Sequence, residues 1–246
     1  MTDKTNGKKV VDTLGYTPEQ YKLFTKNAWI VLLAFSLLYS ILYCGRLNLQ
    51  YTMPAMMAEE GWTEFDLGIL SSVLFWTYGI GHLFNGRLGE IFGVNKFIVA
   101  GIFLSAVANV LIGFQSSIII IAILWGFNGY FQSMVWSPGI ALLSNWWPGD
   151  KRGFATGFAN GFSGFGQVFA ALTVSLAFIV IPGFGWKAGF VLPAAFMVVA
   201  GLIYIFIAKD SPKKIGLKEY VDKDAKRNEQ DAELKKLVAE HGKLFP

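Results

Sequence analysis

An arginine lies near the end of a long apolar run in the first part of the chain. The stretch SILYCGRLNLQ, residues 40–50, carries Arg46 just after the run NAWIVLLAFSLLYSILYCG. Arginine is always charged, and its fork of N–H donors fits phosphate or carboxylate. A charged side chain at the centre of a bilayer costs roughly 2.5–3.5 kcal/mol on insertion scales. Arg46 is therefore a candidate anion-binding residue, with snorkelling to the membrane surface as the alternative.

Polar side chains repeat at helical spacing in four of the apolar runs. The first stripe, at i, i+4, i+7 and i+11, consists of Tyr39, Tyr43, Arg46 and Gln50. The others are Tyr78, His82 and Asn85; Asn128, Gln132 and Trp136; and Asn160, Ser163 or Gly164, and Gln167. These stripes predict four helices whose polar faces meet at a water-filled cavity, where Arg46 avoids lipid. For each of the other residues taken singly, interhelical packing is the alternative.

The composition predicts an all-α polytopic membrane protein. The chain has 246 residues, 54% of them hydrophobic and 15% charged, against about 25% charged in soluble domains. Residues 97–149 and 153–186 contain no charged side chain. Segments that cross lipid must satisfy their own backbone hydrogen bonds, so the spans are predicted to be helices. The six predicted spans are residues 27–53, 66–89, 96–114, 117–145, 153–181 and 186–208.

The positions of the basic residues predict an orientation. Of the 21 lysines and arginines, all but Arg46 and Lys187 lie in the N-terminal tail, around the second and fourth loops, or in the C-terminal tail. By the positive-inside rule, both termini are expected in the cytoplasm and the six-helix bundle in the cell membrane, in contact with lipid. The predicted organisation is a tail over residues 1–26, a bundle over 27–208, and a cytoplasmic linker or tail over 209–246. The net charge of +4 then reflects topology, and no nucleic-acid partner is expected.

No motif predicts catalysis, a cofactor or a metal. The chain has a single cysteine, Cys44, and two histidines, so an internal disulfide is excluded and no Cys/His cluster offers a metal site. We find no Ser/His/Asp set and no phosphate-cradling glycine loop, since the glycines lie within apolar spans. Gly157 and Gly161 form a GxxxG pair, which indicates either static helix packing or an interface that moves.

The loop between the second and third predicted spans resembles the loop signature of the major facilitator superfamily. The signature reads G-x-L-(A/G/S)-D-R-x-G-(R/N)-(K/R), and the stretch here is GRLGEIFGVNK. The matching positions with a conformational role in the family are Gly86, Gly89, Glu90, Gly93 and Lys96. Ile91 stands where the family has arginine.

Further stretches resemble the organophosphate:phosphate antiporters within that superfamily. These are GYFQSMVWSPG, SNWWPGDKRG, GWKAGFVLPAAF and KDSPKKIGL, together with Arg46-x-Asn48 followed by Met53-Pro54. The resemblance places the family's phosphate-binding arginine on Arg46. Two family positions differ, because His82 stands for a lysine and Ser163 for a histidine. A different phosphate ester, a carboxylate, or a sensing role would fit these changes.

The resemblance covers roughly residues 25–217 and implies one six-helix half of a twelve-helix carrier. The second half, in the same or a separate chain, would supply the family's second phosphate-binding arginine. The implied function is alternating-access exchange of phosphate or phosphorylated metabolites, with no enzymatic activity. The residues expected to form the anion pocket are Arg46, Gln50, Tyr43, Tyr78, His82, Gln132 and Asn160. The alternative function is a sensor that binds a sugar phosphate without transporting it.

Overall fold

The computed structural model describes residues 15–218, and all regular structure in that range is helical. Seven α-helices follow one another, with a short 3₁₀ turn over Pro182–Lys187 and another over Pro212–Ile215. The helices are α1 Pro18–Leu42, α2 Cys44–Glu60, α3 Glu64–Phe92, α4 Val94–Ile112, α5 Ile118–Trp146, α6 Gly149–Val180 and α7 Ala188–Ile207. The predicted all-α class is confirmed.

Six helical segments of this range are long and apolar enough to cross a membrane. Helices α1 and α2 form one of them, continuous over Pro18–Glu60, and α7 together with the preceding 3₁₀ turn forms the last. The number of predicted spans is confirmed, although the first segment extends beyond residues 27–53 at both ends. The protein is a multi-pass membrane protein.

The predicted first span ended too early, at residue 53, just before Pro54. Pro54 lies inside α2, and the helix continues to Glu60. The residues after Pro54 read AMMAEE, which are good helix formers. The helix ends where Gly61 adopts φ 72°, ψ 15°, a left-handed cap that glycine takes without steric penalty.

Capping side chains set the beginning of two membrane helices. At α1, Thr17 and Gln20 form a reciprocal capping box just before and after Pro18. At α3, Thr63 and Asp66 form the same arrangement. Each box satisfies backbone N–H groups that would otherwise lack a partner at a helix start.

Glycines allow the helices around the centre of the bundle to approach closely. A Cβ atom on Gly129 of α5 would lie 2.5 Å from the carbonyl oxygen of Leu74 in α3. A Cβ on Gly101 of α4 would lie 2.9 Å from the carbonyl oxygen of Phe131. Helix α5 therefore packs tightly against both α3 and α4, which fixes the polar side chains that the three helices share.

Each end of the bundle is fastened by hydrogen bonds between distant parts of the chain. At the end of α2, both carboxylate oxygens of Glu59 accept the backbone N–H of Trp186, at 3.1 and 3.3 Å. The side chain of Glu60 accepts the indole N–H of Trp186 at 2.9 Å. At the opposite end, the Asp210 carboxylate accepts the backbone N–H of Asn95 at 2.8 Å, and the indole of Trp146 donates to a backbone carbonyl after α7.

Candidate anion site

The regular helical hydrogen-bond pattern is interrupted between α1 and α2, just before Arg46. The backbone N–H of Arg46 donates to the carbonyl of Tyr43, three residues back, at 3.1 Å. Because Arg46 donates to Tyr43, the carbonyl of Leu42 lacks the backbone donor that a regular helix would give it. The side-chain amide of Gln132 on α5 donates to this carbonyl instead, at 3.2 Å. Gly45 lies two residues after Tyr43, and a Cβ there would lie 2.4 Å from Sδ of Met197 and 3.0 Å from Nδ2 of Asn109. A side chain at residue 45 would therefore displace at least the end of the Met197 side chain.

The guanidinium of Arg46 contacts the side chain of Gln132 and two tyrosine rings. Its Nε and Nη2 atoms donate to Oε1 of Gln132, at 3.3 and 3.2 Å. The guanidinium carbon lies 4.8 Å from the ring centre of Tyr43 and 4.3 Å from that of Tyr78. Both distances are typical of cation–π contact.

The other edge of the Arg46 guanidinium keeps donors for a ligand. Of its five N–H groups, the described contacts use the Nε and Nη2 side and leave the Nη1 side unused. No carboxylate among residues 15–218 lies within ion-pair distance of Arg46, whereas Arg87 pairs with Glu90 at 2.8 Å. An oriented, half-buried guanidinium without an acidic partner is suited to bidentate binding of a phosphate or carboxylate.

His82 lies one helical turn after Tyr78 on α3 and forms a second polar contact with α5. The ring of His82 contacts that of Tyr78 edge to face, with the ring centres 4.2 Å apart. Nδ1 of His82 forms a hydrogen bond with the hydroxyl of Ser137 on α5. Through Tyr78, His82 joins the same cluster as Arg46.

Gln132 lies behind Arg46 and is fully buried. Its Oε1 accepts two donors from Arg46, and its Nε2 donates to the carbonyl of Leu42 and to the hydroxyl of Ser105. All its hydrogen-bonding capacity is therefore in use. Gln132 is therefore placed to orient Arg46, and its contact with a ligand stays a prediction.

Two other predicted pocket residues lie apart from this cluster. Gln50 is exposed on α2, one turn beyond Arg46, and lines a cavity of about 760 Å³ between α2 and α3. Asn160 is exposed on α6. Gly157 and Gly161 are also exposed on α6, and added Cβ atoms there would meet no atom within 4 Å. In this part of the chain the GxxxG pair therefore packs against no other helix.

Several residues of the predicted stripes have packing contacts instead. Asn85 of α3 is buried and donates to the hydroxyl of Ser133 on α5 at 2.6 Å. Asn128 is buried and donates to the carbonyl of Gly45 at 2.8 Å. Trp136 packs against Tyr39, with ring centres 4.5 Å apart.

The prediction from sequence missed a polar contribution from α4. Ser105 and Asn109 are fully buried there, and both bond to the side chain of Asn128. Asn48, noted only as part of a motif, donates to Asn109 at 2.8 Å. The i, i+4 spacing of Ser105 and Asn109 in an otherwise apolar segment was the available signal.

The predicted loop motif spans the end of α3 and the start of α4. Gly86 and Gly89 lie in the last turns of α3, and a Cβ on Gly89 would lie 2.7 Å from Pro138 of α5. Glu90 pairs with Arg87. Gly93, with φ 95°, is the single residue between α3 and α4. Lys96 is exposed in the first turn of α4. Among residues 15–218, no group of three or more His, Cys, Asp or Glu side chains is placed to hold a metal ion.

Comparison with known proteins decides the family. Residues 35–240 match the model of the Major Facilitator Superfamily. The chain belongs to this superfamily. The superfamily match covers most of the chain, including every element that surrounds Arg46.

Curated relatives confirm the resemblance to organophosphate:phosphate antiporters. A probable hexose phosphate transport protein of Chlamydia pneumoniae is 29% identical over 179 residues, 73% of this chain and 39% of the relative. A phosphoglycerate transporter protein of Salmonella typhimurium is 32% identical over 187 residues, 76% of this chain and 40% of the relative. A membrane sensor protein of Escherichia coli is 26% identical over 189 residues, 76% of this chain and 42% of the relative. The chain thus spans about two-fifths of the length of these relatives.

Proposed function

We propose that this chain forms one six-helix wall of an alternating-access antiporter for phosphorylated metabolites or related organic anions. The single observation that carries the proposal is the Arg46 guanidinium, which is oriented by Gln132 and by two tyrosine rings while its Nη1 side is unused. The names of the hexose phosphate and phosphoglycerate transporters support the class of substrate. The protein is proposed to act as a carrier and not as an enzyme.

In this proposal, Arg46 supplies the charge and the donors for the anion. The rings of Tyr43 and Tyr78 both contact the guanidinium, and His82 is one turn away for a second contact. Gln50 and Asn160 are exposed on neighbouring helices, where they would contact the bulk of the substrate or a second six-helix unit. That unit, in the same or another chain, is the proposed partner and would complete the cavity.

Obligatory exchange follows from the charge of Arg46. When an anion occupies the site, its charge compensates the guanidinium, and the unit closes without burying an unpaired arginine. Without an anion, closure would bury a charge with no counter-ion, which is strongly unfavourable. Differential affinity of the inward- and outward-open states for the substrate then drives exchange. The loop motif of Gly86, Gly89, Glu90, Gly93 and Lys96 is proposed to take part in this conformational change.

Substitution of Arg46 tests the proposal. The two-half protein is reconstituted in vesicles, and exchange of internal phosphate for external labelled phosphate is measured. Arg46→Ala is expected to reduce exchange to background, and Arg46→Lys, which keeps the charge but loses the fork, is expected to retain only a few per cent. Lys22→Ala removes a positive charge at an exposed position of α1 and serves as the matched control. Normal exchange by Arg46→Ala at normal membrane abundance would refute the proposal.

The same exchange experiment separates transport from sensing, which the sensor relative makes the second candidate function. A carrier releases labelled phosphate on the far side of the membrane, whereas a sensor binds it without counterflow. If the wild type binds phosphate through Arg46 and shows no counterflow, the chain is assigned to a sensor.

A further inference from the structure

Beneath Arg46, buried amides and a hydroxyl form a continuous chain of hydrogen bonds. It begins at Gln132, which donates to the hydroxyl of Ser105 at 2.8 Å. Ser105 donates to Oδ1 of Asn128 at 2.5 Å, and Asn128 donates to the carbonyl of Gly45 at 2.8 Å. This series of hydrogen bonds therefore begins at the side chain of Arg46 and ends at the backbone carbonyl of Gly45, the residue before it.

The direction of every bond in this chain is set by its two ends. Arg46 can only donate, so the oxygen of Gln132 must face it and the amide N–H groups of Gln132 must face away. The Ser105 hydroxyl oxygen accepts from Gln132, so the single hydroxyl hydrogen of Ser105 is available to donate to Asn128. The oxygen of Asn128 is then an acceptor, so its NH₂ group faces the carbonyl of Gly45. A backbone carbonyl can only accept, and the chain closes without conflict.

A branch on α4 supports the same carbonyl. Asn109 donates to the carbonyl of Gly45 at 3.2 Å and to Oδ1 of Asn128 at 3.1 Å. Asn109 in turn accepts from Asn48 at 2.8 Å. Asn109, Asn128 and Ser105 are all fully buried, so they are closed to a ligand in the cavity.

We propose that Ser105, Asn109 and Asn128 are positioning residues that fix the Arg46 guanidinium by holding Gln132 and the carbonyl of Gly45 in place. The inference deepens the proposed function and rests on it in one respect, namely that the positioned Arg46 binds an anion. It requires no substrate contact by these three residues. Removing the Ser105 hydroxyl breaks the chain at its middle, because Gln132 loses an acceptor and Asn128 loses a donor.

The first test measures Arg46 directly in this chain. The sequence has four arginines, so selective ¹⁵N-arginine labelling gives few Nε–H signals, and Arg46→Lys identifies the signal of Arg46. The Nε–H of Arg46 donates to Gln132 and is expected to exchange slowly with solvent. Ser105→Ala is expected to speed its exchange roughly tenfold, which corresponds to about 1.4 kcal/mol and lies within the range of a single hydrogen bond between neutral groups. Ser105→Thr, which keeps the hydroxyl, is expected to restore slow exchange.

A matched control separates positioning from general loosening. Ser36 is also fully buried, and its hydroxyl donates only to the carbonyl of Leu32 in its own helix, at 2.7 Å. Ser36→Ala is expected to leave the Arg46 signal unchanged. If Ser105→Ala does not fold, Ser105→Cys takes its place, since the somewhat larger thiol leaves no cavity and is a weaker donor. A wild-type exchange rate for the Arg46 Nε–H in Ser105→Ala, or in Ser105→Cys where that variant replaces it, would overturn the positioning role.

A transport measurement distinguishes this inference from the proposed function. In the two-half protein, Ser105→Ala is expected to raise the KM for phosphate roughly tenfold at unchanged maximal rate per folded molecule. A role in stability alone would lower the amount of active protein at unchanged KM. If Arg46→Ala abolishes exchange while Ser105→Ala keeps the wild-type KM, the positioning inference fails and the proposed function stands. If the wild type lacks saturable exchange, the proposed function fails, and the Nε–H measurement decides the inference alone.

Discussion

At the scale of single residues, the central fact is that Arg46 is oriented by a neutral partner. Gln132 accepts from two guanidinium nitrogens without cancelling the positive charge. Orientation and charge are thus supplied by separate groups, and the guanidinium remains available to an anion. An acidic residue in the same place would orient Arg46 equally well and would neutralise it.

This separation predicts the effect of Gln132→Glu. A carboxylate at residue 132 would pair with Arg46 and compete with the substrate. It would also lose the N–H groups that bond to Leu42 and Ser105. We expect at least a tenfold weaker affinity for phosphate, since a hydrogen bond to a charged group contributes about 1.5–3 kcal/mol. Equilibrium binding of labelled phosphate measures the change, and unaltered binding by the variant would contradict the assigned role of Gln132.

Part of this site was predictable from sequence. The charge of Arg46, its isolation from acidic residues, and its stripe with Tyr43 all follow from residue type and spacing. The contribution of α4 was missed because Ser105 and Asn109 are only one pair of polar residues in an otherwise apolar segment, shorter than the stripes of the other helices. The directed chain through Asn128 depends on three helices being in contact, and spacing within one helix carries no such information.

At the scale of helices, the structure separates two uses of glycine that look alike in sequence. Gly129 lies against the backbone of Leu74, whereas Gly161 is exposed with no atom within 4 Å of an added Cβ. The first glycine permits contact inside the unit. The second is open, and in the proposed carrier it would face the second six-helix unit.

Alanine substitutions at these two glycines are expected to have opposite effects. Gly129→Ala forces α3 and α5 apart and is expected to destabilise the unit by about 1–3 kcal/mol. Gly161→Ala adds a methyl group into open space and is expected to leave stability unchanged or slightly higher. Thermal unfolding of this chain in detergent measures both. Equal loss of stability in the two variants would show that Gly161 is packed within the unit.

The helix boundaries show which sequence signals predicted the ends of the helices and which did not. Six spans could be predicted because charge-free stretches of sufficient length have few alternatives. Pro54 was a misleading signal, since a proline followed by strong helix formers is tolerated inside α2. The interruption of helical hydrogen bonding at Tyr43 could not be predicted, because no proline marks it and the carbonyl of Leu42 that it leaves unpaired accepts from Gln132, in a distant part of the chain.

At the scale of the whole molecule, the proposed orientation places α2's end outside the cell and both termini in the cytoplasm. The only cysteine, Cys44, is fully buried, so the native chain offers no accessible thiol. Ser116 lies in the loop between α4 and α5, and Lys151 lies at the opposite end of the bundle in the first turn of α6; both are exposed.

Thiol labelling of intact cells tests this orientation. Ser116→Cys is expected to react with a membrane-impermeant maleimide in intact cells. Lys151→Cys is expected to react only after the membrane is permeabilised, and the native chain is expected to stay unlabelled in both conditions. The reverse pattern for the two variants would place the termini outside.

The two ends of the described chain meet at one point. The hydroxyl of Tyr16, just before α1, donates to the carbonyl of Lys218, which follows α7. The first and last described residues of the six-helix unit are therefore neighbours at one end of the bundle. Ends that lie together favour circular permutation: a short linker between them, with new termini opened in the connection at Gly61, would leave every helix contact intact. The order of the helices along the gene is thus separable from their arrangement in the membrane.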